Sequence, residues 1–322
     1  MKGMNTRALG RTGLEISDVG FGAWGVGANQ WQGASDDESL AAHRRAIELG
    51  QNFIDTALSY GDGHSEKLCG QVVRESAAKV LVASKVPPKN RVWPAAKGSS
   101  LDDVFPYEYI LESTETSLRN LGLEQLDLQQ LHVWNPEWLG RDEWKRAAED
   151  LKMSGKIRSF GLSLTEHDPD SGLSAVESGL IDAVQVIYNI FDQAPEESLF
   201  PLCVKHNVGV IARVPFDEGA LTGAITEETV FVPGEFREWY FRGDRKKEVV
   251  EHVNALRQDV TGDLAATALQ FCLSNPAVTT VIPGMRRVRN VEANIAVSAK
   301  GAPGPDLLAK LKTHAWIKSY YQ

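Results

Sequence analysis

Four polar side chains stand where one pocket could collect them. Asp55 closes the run "NFID", Lys85 closes "VLVASK", His132 closes "LDLQQLH", and Tyr60 follows Asp55 after a short loop in "DTALSYGDG". A tyrosine, with an ordinary pKa of about 10, is a poor acid or base near neutrality until a neighbouring ammonium stabilises its phenolate. Lys85 can supply that charge. Asp55 can pair with Lys85, keep it protonated and fix its position, while His132 can hydrogen-bond a substrate oxygen and orient it. The chemistry this suits is proton donation to a carbonyl oxygen. None of the four can donate hydride, so a redox cofactor has to bring it, held at the same place. Each residue also has a plain structural reading: a turn cap, a solvated lysine, a satisfied core histidine. Their recurrence at the ends of successive apolar runs favours the catalytic one.

For those ends to face one another, the runs must be neighbouring strands. Eight of them succeed one another along the chain: "VGFGAW", "NFIDTA", "KVLVAS", "LDLQQLH", "IRSFGLS", "DAVQVIY", "VGVIARV" and "VTTVIPG". Most are near-continuously apolar, as buried parallel strands are. Between them lie helical periods such as Leu111, Thr114, Leu118 and Leu121, then Trp144, Ala148 and Leu151, then Leu264, Ala268 and Phe271. Eightfold alternation predicts an α/β fold of the (β/α)8 TIM barrel type, and no shift of composition divides residues 1–322 into more than one domain. The long irregular stretches from Val86 to Pro106 and from Asp217 to Asp244 then fall on βα connections at the C-terminal mouth, where barrel active sites are built. The opening "TRALGRTGLEIS" reads as an N-terminal β-hairpin capping the other end.

The stretch "GFGAWG" fits the G-x-G-x-x-G spacing of dinucleotide-binding loops, but that fingerprint needs a helix N-terminus directly after it. The adjoining residues, "VGANQWQGAS", have no helical period, and the first helix is predicted at "SDDESL", with Ser35 as its cap. The glycines are therefore expected at a strand end packed closely against another segment.

A net charge of -9 over 322 residues argues against nucleic-acid or anionic-membrane partners. No apolar run approaches a membrane span, and "MKGMNTRALG" has no signal-peptide core. Cys69, Cys203 and Cys272 are widely separated, which suits a reduced, cytoplasmic protein with no cysteine metal site. A metal-dependent barrel hydrolase would need clustered ligands at strand ends, and among histidines only His132 sits at one, so no metal is expected.

"DTALSYGDGHSEKLCG" resembles the signature of the aldo-keto reductases, and "LDLQQLH" and "VIPGMRRVRNVEAN" resemble two more of that family's blocks, in the family's order and across essentially the whole chain. The resemblance implies a barrel that binds NADPH extended across the strand ends, with Asp55, Tyr60, Lys85 and His132 as catalytic residues, Tyr60 as general acid, and a small carbonyl compound as substrate. It places Ala23, Trp24 and Asp55 beside the nicotinamide, and Ser163 and Gln185 at its carboxamide. Val214, Pro215 and Phe216 would lie along the diphosphate, with Gly219 and Leu221 in the same segment. Arg213 stands where many members stack an aromatic on the nicotinamide, and a planar guanidinium can also stack. In the last block, Arg286 and Arg287 would grip a 2'-phosphate and Asn294 would contact the adenine, with Gly284 and Asn290 among the other cofactor-binding positions. Leu164, Ala224, Asn290 and Ala293 depart from the family's usual residues. Trp24, Trp31, Trp93 and Trp134 fall in or near mouth-side segments, where such aromatics can wall the substrate pocket or equally serve as packing beneath the long loops. The resemblance extends to potassium-channel β subunits, which share the barrel and assemble as oligomers. A cofactor-bound regulatory module, and a homo-oligomer, stay open as alternatives, the former weakened by an intact acid-base set that mere binding does not require.

Overall fold

A computed structural model describes residues 4–28, 30–33 and 35–321. Strand β1 (Thr6–Ala8) pairs antiparallel with β2 (Glu15–Ser17). Eight further strands complete the set: β3 (Phe21–Gly22), β4 (Phe53–Asp55), β5 (Leu81–Val86), β6 (Leu126–Leu131), β7 (Ile157–Ser163), β8 (Ala183–Ile187), β9 (Gly209–Arg213) and β10 (Thr280–Val281). They form one parallel sheet in chain order, and the bridges Val19↔Val281 and Gly22↔Gly284 join its first strand to its last. Each of the eight apolar runs read from the sequence is one of these strands. The connecting helices bury the faces their periodicity foretells, as in Tyr107–Leu121, whose Thr114, Leu118 and Leu121 point inward.

Packing closes the bottom of the cylinder and the seam between its first and last strands. At the bottom, Leu9, Leu14 and Ile16 of the hairpin segment form a stopper against Phe53, Leu81, Leu128 and Ile211. Gly10 makes the close seating feasible: at its φ of 52°, a Cβ would lie 2.4 Å from the backbone nitrogen of Gly209. The Arg7 guanidinium ties the hairpin down by donating to the carbonyls of Val278 and Leu273 at 2.6 and 2.8 Å. At the mouth, Gly22 ends β3 so close to the last strand that a Cβ would sit 2.5 Å from the Ile282 carbonyl oxygen. Helix Asp36–Glu48 begins only after a long turn, with Ser35 and Glu38 in a reciprocal capping box. "GFGAWG" is thus a strand end and not a phosphate loop.

The connection after β9 contains a short helix, Phe236–Tyr240, and folds back over the loop after β3. The Phe236 amide donates to the Gln30 carbonyl at 2.9 Å. The Arg237 guanidinium lies 4.8 Å from the ring of Trp31 and 5.3 Å from that of Phe231. Among the described residues no helix is long and apolar enough to cross a membrane, and no group of His, Cys, Asp or Glu is arranged to hold a metal ion.

Candidate active site

Strand β5 is buried along its whole length, and it carries Lys85 into the interior with its side chain fully covered. Such an ammonium needs an acceptor for each of its three protons. It finds Asp55 Oδ2 at 2.5 Å, the Thr56 carbonyl at 2.8 Å and the Tyr60 hydroxyl at 3.3 Å. The other oxygen of Asp55 accepts from Gln185 at 2.8 Å and from Gln130 at 3.4 Å. Ser59, just before Tyr60, places its hydroxyl 3.3 Å from His132 Nδ1. The rings of Tyr60 and His132 meet edge to face with centroids 5.6 Å apart. Asp55, Tyr60, Lys85 and His132, from three consecutive βα junctions, therefore share one site.

The electrostatics are those of a buried charge pair. Burial alone would lower the Lys85 pKa, but Asp55 and Tyr60 outweigh it and hold the ammonium above its ordinary range. For Tyr60 burial is the larger influence: it raises the phenol above its ordinary 10, against the opposing pull of Lys85. The depression that the sequence suggests for Tyr60 is present as a force and loses to desolvation, so the phenol stays protonated. Burial, and then the cations Lys85 and Arg213, push His132 well below 6.5 and keep it neutral. In the tautomer in which Ser59 donates to Nδ1, the imidazole proton lies on Nε2, free to donate to an oxygen in the mouth.

Other residues singled out in the sequence surround this centre. Ala23 is buried beside Asp55, whose carbonyl its amide donates to at 2.9 Å. Ser163 and Gln185 stand opposite each other across β7 and β8, with the Gln185 amide nitrogen engaged by Asp55. Arg213 reaches from β9 to the Leu164 carbonyl at 3.1 Å and to Glu166 at 3.4 Å, and its Nε is buried without a partner. The turn beyond it is strained, with φ of 56° at Val214, 46° at Asp217 and 55° at Glu218; Pro215 and Leu221 are buried, and Gly219 has φ 103°. Gly284 lies exposed at the bridge to Gly22. Arg286 and Arg287 precede helix Val288–Ile295, which carries Asn290 and the buried Asn294. Arg286 Nη1 and Arg287 Nε are buried and unpartnered, while Arg287 Nη2 donates to the Gly33 carbonyl at 2.6 Å. Burial, followed by repulsion from Arg237 and Arg287, lowers the pKa of Arg286. A cleft of about 380 Å³ lined by Glu38, Arg287, Val288 and Arg289 opens beside this helix start.

Of the four tryptophans singled out for the pocket, three lie at the mouth. Trp24 has its ring 6.4 Å from Tyr60 and 5.4 Å from Trp31, and Trp93, exposed at its rim, lies 5.8 Å from His132. Trp134 does not line the pocket. It is buried among Trp138 and Trp144 and donates from Nε1 to the Ser171 carbonyl at 3.1 Å, because the chain turns outward after His132 and delivers this ring to the helix layer. Two mouth residues escape a reading of the sequence. Phe236 packs 4.9 Å from Trp24, and no local pattern in a long irregular connection marks it. Gln130, near the end of β6, carries a usable signal as one of two adjacent glutamines in a buried strand segment.

The Aldo/keto reductase family matches the chain over residues 18–303. An uncharacterized oxidoreductase of Bacillus subtilis is 30% identical over 313 residues, covering 97% of this chain and 96% of that protein. The NADH-specific methylglyoxal reductase of Escherichia coli is 30% identical over 311 residues, covering 89% of this chain and 91% of its own. Among solved structures, an aldo-keto reductase from Bacillus halodurans in its holo form superimposes with a TM-score of 0.77 at 26% identity, over 99% of this chain and all of that one.

Proposed function

Because the chain belongs to the aldo/keto reductase family, we propose that it reduces an aldehyde or ketone with NADPH, and that Tyr60 is the acid that protonates the carbonyl oxygen. One observation carries the catalytic half: the Tyr60 hydroxyl held 3.3 Å from a buried ammonium that is itself paired with Asp55. An oxygen seated between the Tyr60 hydroxyl and His132 Nε2 receives two donors. As charge develops on it, Tyr60 releases its proton to that oxygen, and Lys85 stabilises the phenolate left behind. Asp55, fixed by Gln130 and Gln185, keeps Lys85 cationic throughout. When bound, the reduced nicotinamide supplies the hydride that no side chain can.

The Escherichia coli relative's NADH specificity makes cofactor choice a matter for each chain's own residues. Here, two arginines with buried, unsatisfied N–H groups at a helix start support a 2'-phosphate, since an orphaned buried donor is costly until an acceptor arrives. Trp24 and Trp93 are the residues we assign to the substrate side. Turnover of a panel of carbonyl compounds, followed as loss of reduced nicotinamide absorbance with NADPH and NADH in parallel, tests the reading. No oxidation of either cofactor with any of them would refute it.

Two further outcomes are expected. Since Tyr60 is held above and His132 below their ordinary values, reduction should be flat from about pH 7 to 9 and fall only as the phenol ionises. Lys85→Met removes the one strong downward pull on that phenol, so the rate should drop and the alkaline limb should move upward. A limb that stays put breaks the proposed coupling. Trp24→Ala should raise KM for the carbonyl compound well beyond any change in KM for the cofactor; equal increases would mean general loss of packing.

A further inference from the structure

We propose that the C-terminal segment, residues 313–321, is a strap that holds the strained turn after β9 in its cofactor-receiving shape, with Lys318 and Tyr321 as positioning residues. The inference rests on the assignment of Val214, Pro215 and Phe216 to the cofactor's diphosphate.

After helix Pro305–Lys312 the chain turns back toward the mouth. The Trp316 amide donates to the Phe191 carbonyl at 2.8 Å, and its ring stacks on His252 at 3.8 Å. Lys318 then reaches Asp217: Nζ lies 3.0 Å from Oδ1, with the two side chains only 4% and 2% exposed. The Tyr240 hydroxyl donates to the same oxygen at 3.2 Å. Tyr321 donates its hydroxyl to Glu218, and its ring packs against His167, Phe236 and Tyr240. Two successive acidic residues of the turn are thus each held by a residue of the strap.

The turn does not hold itself. Three non-glycine residues in it have left-handed backbone, including the β-branched Val214, a conformation that persists only where the surroundings enforce it. Asp217 and Glu218 are both buried, and adjacent buried carboxylates are unfavourable unless opposing donors reach them. The strap supplies those donors, the cation from Lys318 and the hydroxyl from Tyr321. Backbone bonds from the Asp217 amide to Val214 and from the Gly219 and Leu221 amides to Phe216 carry the constraint back to the residues assigned to the diphosphate.

The test is backbone hydrogen exchange over residues 214–221, measured on the full chain without cofactor, together with NADPH dissociation constants, in wild type, Lys318→Met, Tyr321→Phe and the double variant Asp217→Asn with Lys318→Met. The double variant removes both partners of the Asp217–Lys318 ion pair together, so it stays informative if Lys318→Met alone fails to fold. Exchange over 214–221 should quicken about tenfold or more in the double variant, and less in Tyr321→Phe, with β5 and β6 unchanged. The NADPH dissociation constant should rise about tenfold, while KM for the carbonyl at saturating NADPH holds within about twofold. Unchanged exchange over 214–221 overturns the strap, independently of the cofactor reading, which stands on the wild-type binding isotherm. Faster exchange with unaltered NADPH affinity overturns the strap's role in cofactor binding.

Discussion

Tyr60→Phe is expected to slow carbonyl reduction by ~10²-fold or more, the usual consequence of losing a positioned proton donor, with NADPH affinity nearly unchanged. The phenyl ring keeps the packing of Tyr60 against Trp24 and His132 and its place 5.0 Å from the Lys85 ammonium. What vanishes is the one hydroxyl 3.3 Å from Lys85. Lys85 retains two of its three acceptors, Asp55 and Thr56, so the site should stay assembled. Single-turnover rates with saturating NADPH isolate the chemical step. A variant that still turns over at the wild-type rate would place the acid elsewhere.

The double change Arg286→Ala and Arg287→Ala should weaken NADPH binding by ~10- to 1000-fold and leave NADH nearly untouched. A 2'-phosphate carries nearly two negative charges, and well-placed charge-assisted contacts contribute roughly 1.5 to 3 kcal/mol each. Arg286 is burdened in the free protein by burial and by two neighbouring arginines, so an anion arriving there relieves a cost already present. Glu38 lines the same cleft, yet its carboxylate is engaged by the Ser35 amide at 3.1 Å in the capping box. Dissociation constants for both cofactors, in wild type and variant, decide the matter. Equal losses would show that these arginines only support the fold.

Strand positions are legible in the sequence because parallel barrel strands are covered on both sides and read as unbroken apolar runs; Asp55, Lys85 and His132 are legible because they interrupt that pattern where each run stops. Trp134 misleads for a related reason. Strand alternation predicts side-chain direction only while the strand lasts, and β6 ends at Leu131, so the path of the next residues depends on tertiary packing around Trp138 and Trp144. Tyr60 shows the limit for electrostatics: residue types reveal which charges are neighbours, but whether Lys85 or burial prevails depends on how much water is excluded. Lys318 and Tyr321 carry no motif at all. Their partners, Asp217 and Glu218, lie far back along the chain, and nothing local in "WIKSYY" announces a buried ion pair.

The hairpin stopper has a consequence for the order in which the chain is made. Its apolar residues leave the ribosome ahead of the surfaces that receive them, which come from the whole circuit and end with Ile282. Arg7 waits for the carbonyls of Leu273 and Val278, and β3 waits for β10 to close the sheet. Throughout synthesis, Leu9, Leu14 and Ile16 are left without their final seat, a long-range dependence of the kind that slows folding and exposes nascent chains to aggregation. A chain released before Leu273 should therefore keep its hairpin open to proteases, whereas in the finished protein the same residues should be among the last to be cut.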